Sequence, residues 1–285
     1  MWYRFLFPLL LLGTGCISSP PKTIRLPPIL TEASGLAVRD SVFYWHNDSG
    51  DGPFLYATDR SGTLTAQDTL VAAAFDYEDL TTDGQGRFYL GDFGNNSGKR
   101  TRQTIYRYDP VSRETVAIHF TYPGQNGEGR DVSGNYDCEA MIYLREELHL
   151  FTKDQAFGRG ANTTYHFRLP ATPGTYVAEL VDSLRIPRRI VTAAAFDTTR
   201  NELVMTAYSF KRWAGFWPAS AASLITITDF PEGRFLRGKV RRRNLAWGIP
   251  TQFEAVAFFD DRWLYVASEG NKVRKHAVAK RKRRR

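Results

Sequence analysis

The sequence predicts an all-β protein, a β-propeller of five four-stranded blades, and three observations carry that expectation. One phrase recurs five times along the 285 residues: an acid, a short apolar run, a turn, then a strand of alternating apolar and aromatic residues ending in polar ones. Strand-like runs separated by turn residues fill the intervals, and no amphipathic helical window of useful length appears. An apolar run near the N-terminus matches a strand that the last unit lacks. A sixth, degenerate blade is the alternative. Hydrophobic residues at 42%, aromatics at 14% and charged residues at 24% exclude a disordered chain, a coiled coil and a polytopic membrane protein.

Residues 1–15 read as a lipoprotein signal peptide. Arg4 supplies the positive region, Phe5 to Leu12 form an apolar stretch interrupted by Pro8, and Gly13-Thr14-Gly15 precede Cys16. Gly13 stands where a Leu is usual. Cleavage there makes Cys16 the lipidated N-terminus, with residues 16–22, including Ser19-Pro20-Pro21, as a stiff spacer. Ordinary secretory cleavage or an uncleaved anchor are the alternatives, and each exports the domain. The expected location is therefore the bacterial cell envelope, extracytoplasmic and lipid-anchored, with the membrane as one partner. Cys138 is then the remaining cysteine, which excludes an intrachain disulfide. Its neighbours Asp137 and Glu139 oppose thiolate formation, so it reads as a packing residue.

The propeller is expected over residues 23–278. Its repeated phrases are Glu32 to Leu36 with Val42 to Trp45, Glu78 to Leu80 with Arg87 to Leu90, and Glu139 to Ile142 with Leu148 to Phe151. The fourth, Thr192 to Phe196 with Leu203 to Met205, lacks the acid; the fifth is Glu254 to Phe258 with Trp263 to Val266. Two further runs follow in each of the first four units, as in Phe54 to Thr58 with Leu64 to Leu70, or Thr164 to Leu169 with Tyr176 to Ile186. The last unit supplies three strands, ending with Val273 to Val278, and the run Thr23 to Leu30 is placed as its outer strand, where prolines are tolerated. Residues 279–285 read as a disordered basic tail, because charges that dense resist packing. The formal charge of +8 is concentrated there and just before: without Arg4 and the nine basic residues from Lys272 onward, residues 16–271 carry about −2. That balance argues against nucleic acid as a partner.

In a propeller the first strand of each blade lines the channel, so the repeated acids gather at one rim. The second strand ends at the same rim, adding His46, Asn47 and Asp48, Asp92 and Asn95, Lys153 and Asp154, and Glu269 as candidate ligand-binding residues. Glu32, Glu78, Glu139 and Glu254 are candidate metal ligands. Carboxylates so placed repel unless a cation, a basic partner or raised pKa values compensate. Calcium suits them, being hard and accepting many oxygens, whereas zinc would lack nitrogen and sulfur ligands beyond His46 and Cys138. The competing reading is that each Glu accepts backbone hydrogen bonds and fixes blade packing. Lys211 to Trp217 is a candidate aromatic platform on this rim for a sugar or peptide.

At His46 to Gly50, Tyr77 to Leu80, Gly91 to Asn96, Ile105 to Arg107, Asp137 to Ala140 and Leu150 to Lys153 the chain resembles a family of bacterial exported propeller proteins, often lipoproteins. Cys138 departs from it, standing where that family has a small residue. More loosely, the ring of acids is similar to calcium-dependent apyrase propellers, five-bladed enzymes in which each blade gives an oxygen to a central calcium. That resemblance implies Glu78, Glu139 and Glu254 as ligands, Glu32 or Ser34 as a fourth and Thr192 as a fifth.

Two functional readings follow. One is an envelope lipoprotein that binds a small molecule, glycan or protein across the polar rim, with a structural calcium. The other is a calcium-dependent hydrolase of phosphate esters or glycosides using the same carboxylates, whose candidates (Asp48, Asp79, Asp92 and Asp154 among them) are too many to choose between.

Overall fold

The computed structural model describes residues 19–125, 136–153, 162–213, 217–247, 252–270 and 277–284. Cys16 and Asp154 lie outside them. The chain enters through β1 (Thr23–Arg25) and then builds a first sheet from β2 (Ala33–Arg39), β3 (Val42–Asn47), β4 (Phe54–Thr58) and β5 (Leu64–Thr69). The second comprises β6 (Tyr77–Thr82), β7 (Phe88–Asp92), β8 (Gln103–Tyr108) and β9 (Thr115–Thr121). The third contains β10 (Cys138–Leu144), β11 (Glu147–Thr152), β12 (Thr163–Pro170) and, after the short β13 (Gly174–Val177), β14 (Glu179–Arg185). The fourth is β15 (Ile190–Asp197), β16 (Glu202–Trp213), β17 (Trp217–Thr228) and β18 (Lys239–Trp247), with a 3-10 turn at Phe235–Arg237. The fifth orders as β1, β21 (Val278–Arg283), β20 (Trp263–Ser268) and β19 (Phe253–Phe258). The molecule is thus a five-bladed propeller, closed by its N-terminal strand as the sequence predicts.

The core is divided among the blades. Each pair of neighbouring blades encloses its own buried apolar cluster, such as Ile24, Trp45, Tyr56 and Tyr265 between blades 5 and 1, and Phe93, Ile118, Met141 and Phe167 between blades 2 and 3. At about 25 cal/mol for each Å² of apolar area removed from water, these interfaces hold the ring, because a single four-stranded sheet could not cover both its faces. Cys138 belongs to the second of these clusters, and burial pushes its thiol up to about 12, as suits a packing residue.

Three details differ from the sequence reading. The run expected as one strand from Tyr176 to Ile186 divides at Ala178, which is buried and donates its N–H to Thr121. The first part, β13, pairs in parallel with β9 and widens the second blade; the remainder, β14, completes the third. In the stretch expected as an aromatic platform, Lys211, Arg212 and Trp213 extend β16 into a hairpin arm with β17 whose last pair is Trp213 with Trp217, and residues 214–216 lie outside the described ones.

The third correction concerns the C-terminus. Val278–Arg283 is a strand between β20 and β1, where a disordered tail was expected from residue 279. Distant partners offset its self-repulsion: the Arg281 guanidinium lies 4.0 Å over the Trp263 ring, and Arg284 lies 4.1 Å over Phe258 while pairing with Asp197 and Glu202.

Candidate functional site

Every innermost strand carries a β-bulge near its start, and the bulges fall at Ser34, Glu78, Glu139, Thr192 and Glu254. A bulge places one extra residue against its partner strand and re-aims its side chain. Here it turns the same position of each blade into one ring at the channel mouth. Strand alternation puts the residues two earlier on the same side, giving Glu32, Asp76, Asp137, Ile190 and Gln252 as an outer ring. A third set comes from the ends of the second strands. Asp48, Gly94, Lys153 and Glu269 donate their backbone N–H to the carbonyls of Glu32, Asp76, Asp137 and Gln252 respectively, and Tyr208 pairs with Ile190 in the fourth blade.

These rings enclose a cavity of about 290 Å³ whose lining is entirely polar, including Glu32, Asp48, Glu78, Glu139, Glu254 and Glu269. Lys153 is the lysine among the lining residues, and its ammonium lies 2.5 Å from Glu139 Oε1. Burial alone would depress that lysine, but Glu139, with Tyr208, Glu78 and Glu254 behind it, holds it well above its usual value. Glu254 accepts from the Tyr208 hydroxyl at 3.2 Å and from Gln252 Nε2 at 3.0 Å. The two hydroxyl members of the bulge ring serve packing: Ser34 Oγ donates to the Glu78 carbonyl at 2.7 Å and Thr192 Oγ1 to that of Phe253 at 2.6 Å.

Glu78 differs from the other bulge glutamates. It is 3% exposed, and its Oε1 has no hydrogen-bond partner among the described residues. Oxygens of Glu78, Asp48 and Asp76 lie within 4.8 Å of one another, as do those of Glu78, Asp137 and Glu139. Gly94 permits this crowding, since a Cβ there would fall 2.1 Å from Glu78 Oε1 and 2.5 Å from Asp76 Oδ2. Burial, then repulsion from Glu139 and Asp48, pushes the Glu78 carboxyl well above the carboxylate range. Burial and Asp76 push Asp48 up to about 7, and burial and Glu254 push Glu269 up to about 11. Hard oxygen donors, a buried orphan oxygen and a glycine cradle fit an oxygen-liganded cation such as calcium. Glu78 with Asp48 and Asp76 would hold it, since Lys153 already occupies Glu139.

Below the mouth, Asp79 crosses the channel. Fully buried, it accepts N–H groups from Leu80 at 2.8 Å, Met141 at 2.7 Å and Ala194 at 3.2 Å, joining blades 2, 3 and 4. The corresponding residues of the other blades are Gly35, Ala140, Ala193 and Ala255, small enough to leave it room.

Other residues expected at the site hold its framework. His46 stacks edge-on to Tyr77 over Gly35, whose backbone its ring approaches too closely for a Cβ, and burial lowers its pKa. Asn47 ties Glu32, Ile29 and Asp51 together. Asp92 is buried against Arg100 at 2.8 Å and receives the Asp76 N–H, while Asn95 bonds Arg100 and Asp137. None of the four lines the cavity. Asp76, Asp137, Tyr208 and Gln252 were absent from the expected set. Glu32, grouped with the bulge acids in the sequence, is exposed and belongs to the outer ring; Ser34 holds its bulge position.

No protein-family model matches the sequence, and no curated protein matches it significantly. Solved structures do. The chain is similar to the GH43 β-1,3-galactosidase solved with galactodeoxynojirimycin (TM-score 0.53, 10% identity, 92% of this chain and 93% of that one). It is similar to a gluconolactonase from Xanthomonas campestris (TM-score 0.46, 12% identity, 92% and 89%) and to the Dos1 propeller (TM-score 0.41, 8% identity), of which it spans 52%. At these identities the likeness is one of fold.

Proposed function

We propose that the protein is a binding propeller whose ligand enters the acidic mouth of the channel, and that a calcium ion held by Glu78, Asp48 and Asp76 completes that mouth. The observation that carries the reading is the buried, unpartnered Oε1 of Glu78 inside a polar cavity, beside two further carboxylates. A group so placed is costly unless it is protonated or meets a cation. When bound, the ion would neutralise these carboxylates and offer open coordination positions to a ligand oxygen. Lys153 lines the same cavity with ammonium donors beyond the one given to Glu139, and the Tyr208 hydroxyl, whose proton goes to Glu254, offers an acceptor, a set suited to a hydroxylated or anionic small molecule.

Calorimetric titration with calcium near neutral pH tests this. Binding is expected in the unaltered chain and at least about tenfold weaker in Glu78→Gln, which keeps the shape and removes the charge. A melting temperature indifferent to both calcium and chelator would leave the glutamates as packing groups. The proposal carries with it the location expected from Cys16, an extracytoplasmic surface reached by a lipid anchor; mass spectrometry of the mature N-terminus decides that part.

A hydrolase on the same carboxylates is the second reading, favoured by Asp48, an acid poised at about 7 beside Asp76 and so able to exchange protons at neutral pH. Turnover of nucleotides or of galactosides and arabinans, lost in Asp48→Asn, would establish it.

A further inference from the structure

Basic residues of two strands face one another across one wall. β18, the outer strand of blade 4, turns Arg241 and Arg243 toward blade 5, and β21 in blade 5 turns Lys280 and Lys282 toward blade 4, while Arg242 and Arg283 alternate to the opposite faces. Between them runs a groove of about 300 Å³ whose lining includes Arg241, Arg242, Arg243 and Arg283. Its floor is Arg284, already neutralised by Asp197 and Glu202, and Arg243 Nη1 stitches the two blades by donating to the Arg283 carbonyl at 2.8 Å. Among the described residues no carboxylate pairs with Arg241, Arg242, Lys280, Lys282 or Arg283. Lys282 is pushed below its usual value by burial, Lys280 and Arg243, so the wall repels itself. Packing has no need of such a surface, and an external anion would relieve it.

We propose that this wall of blades 4 and 5 is a docking face for the anionic surface of a phospholipid bilayer. The chain's own path selects that source of phosphate. Arg281 donates its N–H to the Lys22 carbonyl at 3.0 Å and its side chain to that of Pro20, and the Tyr265 hydroxyl holds Pro21 at 2.7 Å. Cys16 lies four residues before Pro20, so an acyl chain there starts within about 14 Å of the basic strand. The choice of a bilayer rests on the anchor reading; the patch itself does not. Nucleic acid fits less well, because the groove's lining offers no aromatic ring for a base to stack on.

The experiment is vesicle co-sedimentation of the full chain with phosphatidylglycerol-containing or pure phosphatidylcholine vesicles, at low and high salt. It compares the unaltered protein with the double variant Arg241→Glu/Lys282→Glu, and with Cys16→Ala. Binding to the anionic vesicles is expected to be about a hundredfold tighter than to neutral ones. High salt and the double variant should erase that ratio while circular dichroism stays native. Cys16→Ala should weaken both kinds of binding and keep the ratio; binding equal to that of the unaltered chain on both kinds of vesicle, with the ratio kept, would sink the anchor and spare the wall. A ratio near one, a ratio untouched by the double variant, its loss to millimolar inorganic phosphate, or displacement by a DNA duplex would each overturn the inference.

Discussion

The two mouths of the channel are built by the same five strands and share nothing chemically. At one, the bulges gather carboxylates around a polar cavity of about 290 Å³. At the other, the strands continue without bulges, and residues 36–38, 80–82, 142–145, 194–196 and 256–258 line a cavity of about 390 Å³ in which apolar side chains alternate with Thr81, Thr82, Arg145 and main-chain groups. Asp79 stands between them. The larger hollow is lined by threonines and Arg145 but by no carboxylate, and among the described residues none of its atoms is buried without a partner, so size is a poor guide to where chemistry resides. Local backbone irregularity, repeated at one height around the ring, is what separates a site from a seam.

The sharpest way to break this contrast is to remove its partition. Asp79→Leu should leave the Met141 and Ala194 N–H groups without an acceptor and cost about 3 kcal/mol, read as a lower urea midpoint at unchanged slope. An unchanged midpoint would mean that the Asp79 carboxylate is not what ties blades 2, 3 and 4 together.

The acid limit of the fold should be set away from both mouths. His149 Nδ1 lies 2.9 Å from His166 Nε2, and His166 Nδ1 lies 2.9 Å from Asp182, with Glu147 and Arg168 nearby. Burial, then His166 and Arg168, lowers His149 from 6.5 to about 3. The folded state therefore refuses a proton that the unfolded chain accepts, so this contribution is complete above pH 6.5 and is lost as pH falls toward 3. Thermal melts between those limits should show it, and His149→Gln should flatten the profile. A steep fall that persists in the variant would move the cause to carboxylates that the fold holds below their usual range, Asp83 beside Arg87 and Asp197 beside Arg284, since the raised carboxyls of the mouth act in the opposite sense.

Smaller effects sharpen the comparison. Gly94→Ala should displace the Glu78 and Asp76 carboxyls, which are movable side-chain ends, and weaken calcium binding about tenfold at nearly constant stability. Val38→Thr at the opposite mouth should leave calcium affinity within about twofold. Comparable losses from both substitutions would show that the ends are coupled through the strands.

Much of this was legible beforehand, for reasons that also explain the failures. The repeated phrase marks each inner strand because an acid or hydroxyl stands directly before a short and mostly apolar run, which makes Glu78, Glu139 and Glu254 legible in the sequence. Glu32 shares their charge and not their position, because the bulge of blade 1 falls on Ser34, whose hydroxyl carries no charge to mark it in the sequence. The pattern of a polar residue, any residue, then the bulge residue, in Glu32 to Ser34, Asp76 to Glu78, Asp137 to Glu139 and Gln252 to Glu254, would have corrected the alignment and added the outer ring. His46 and Asp92 have site-like chemistry, and nothing in a linear sequence says that a glycine or an arginine will engage them. The basic terminus was misjudged because its partners, Asp197, Glu202 and Trp263, are far away along the chain.

That last strand has a temporal consequence. Blade 5 takes β21 from the final residues of the chain and β1 from near its beginning, and β21 lies between β1 and β20. During synthesis the first four blades can assemble in order, but β1 has no partner until β21, which follows every other strand, has emerged. Until then the ring has no latch: the fifth sheet lacks an interior strand and the faces of its neighbours stay open to water. The dense positive charge of that segment then acts as protection, because an uncaptured strand of lysine and arginine repels its own copies instead of pairing with them.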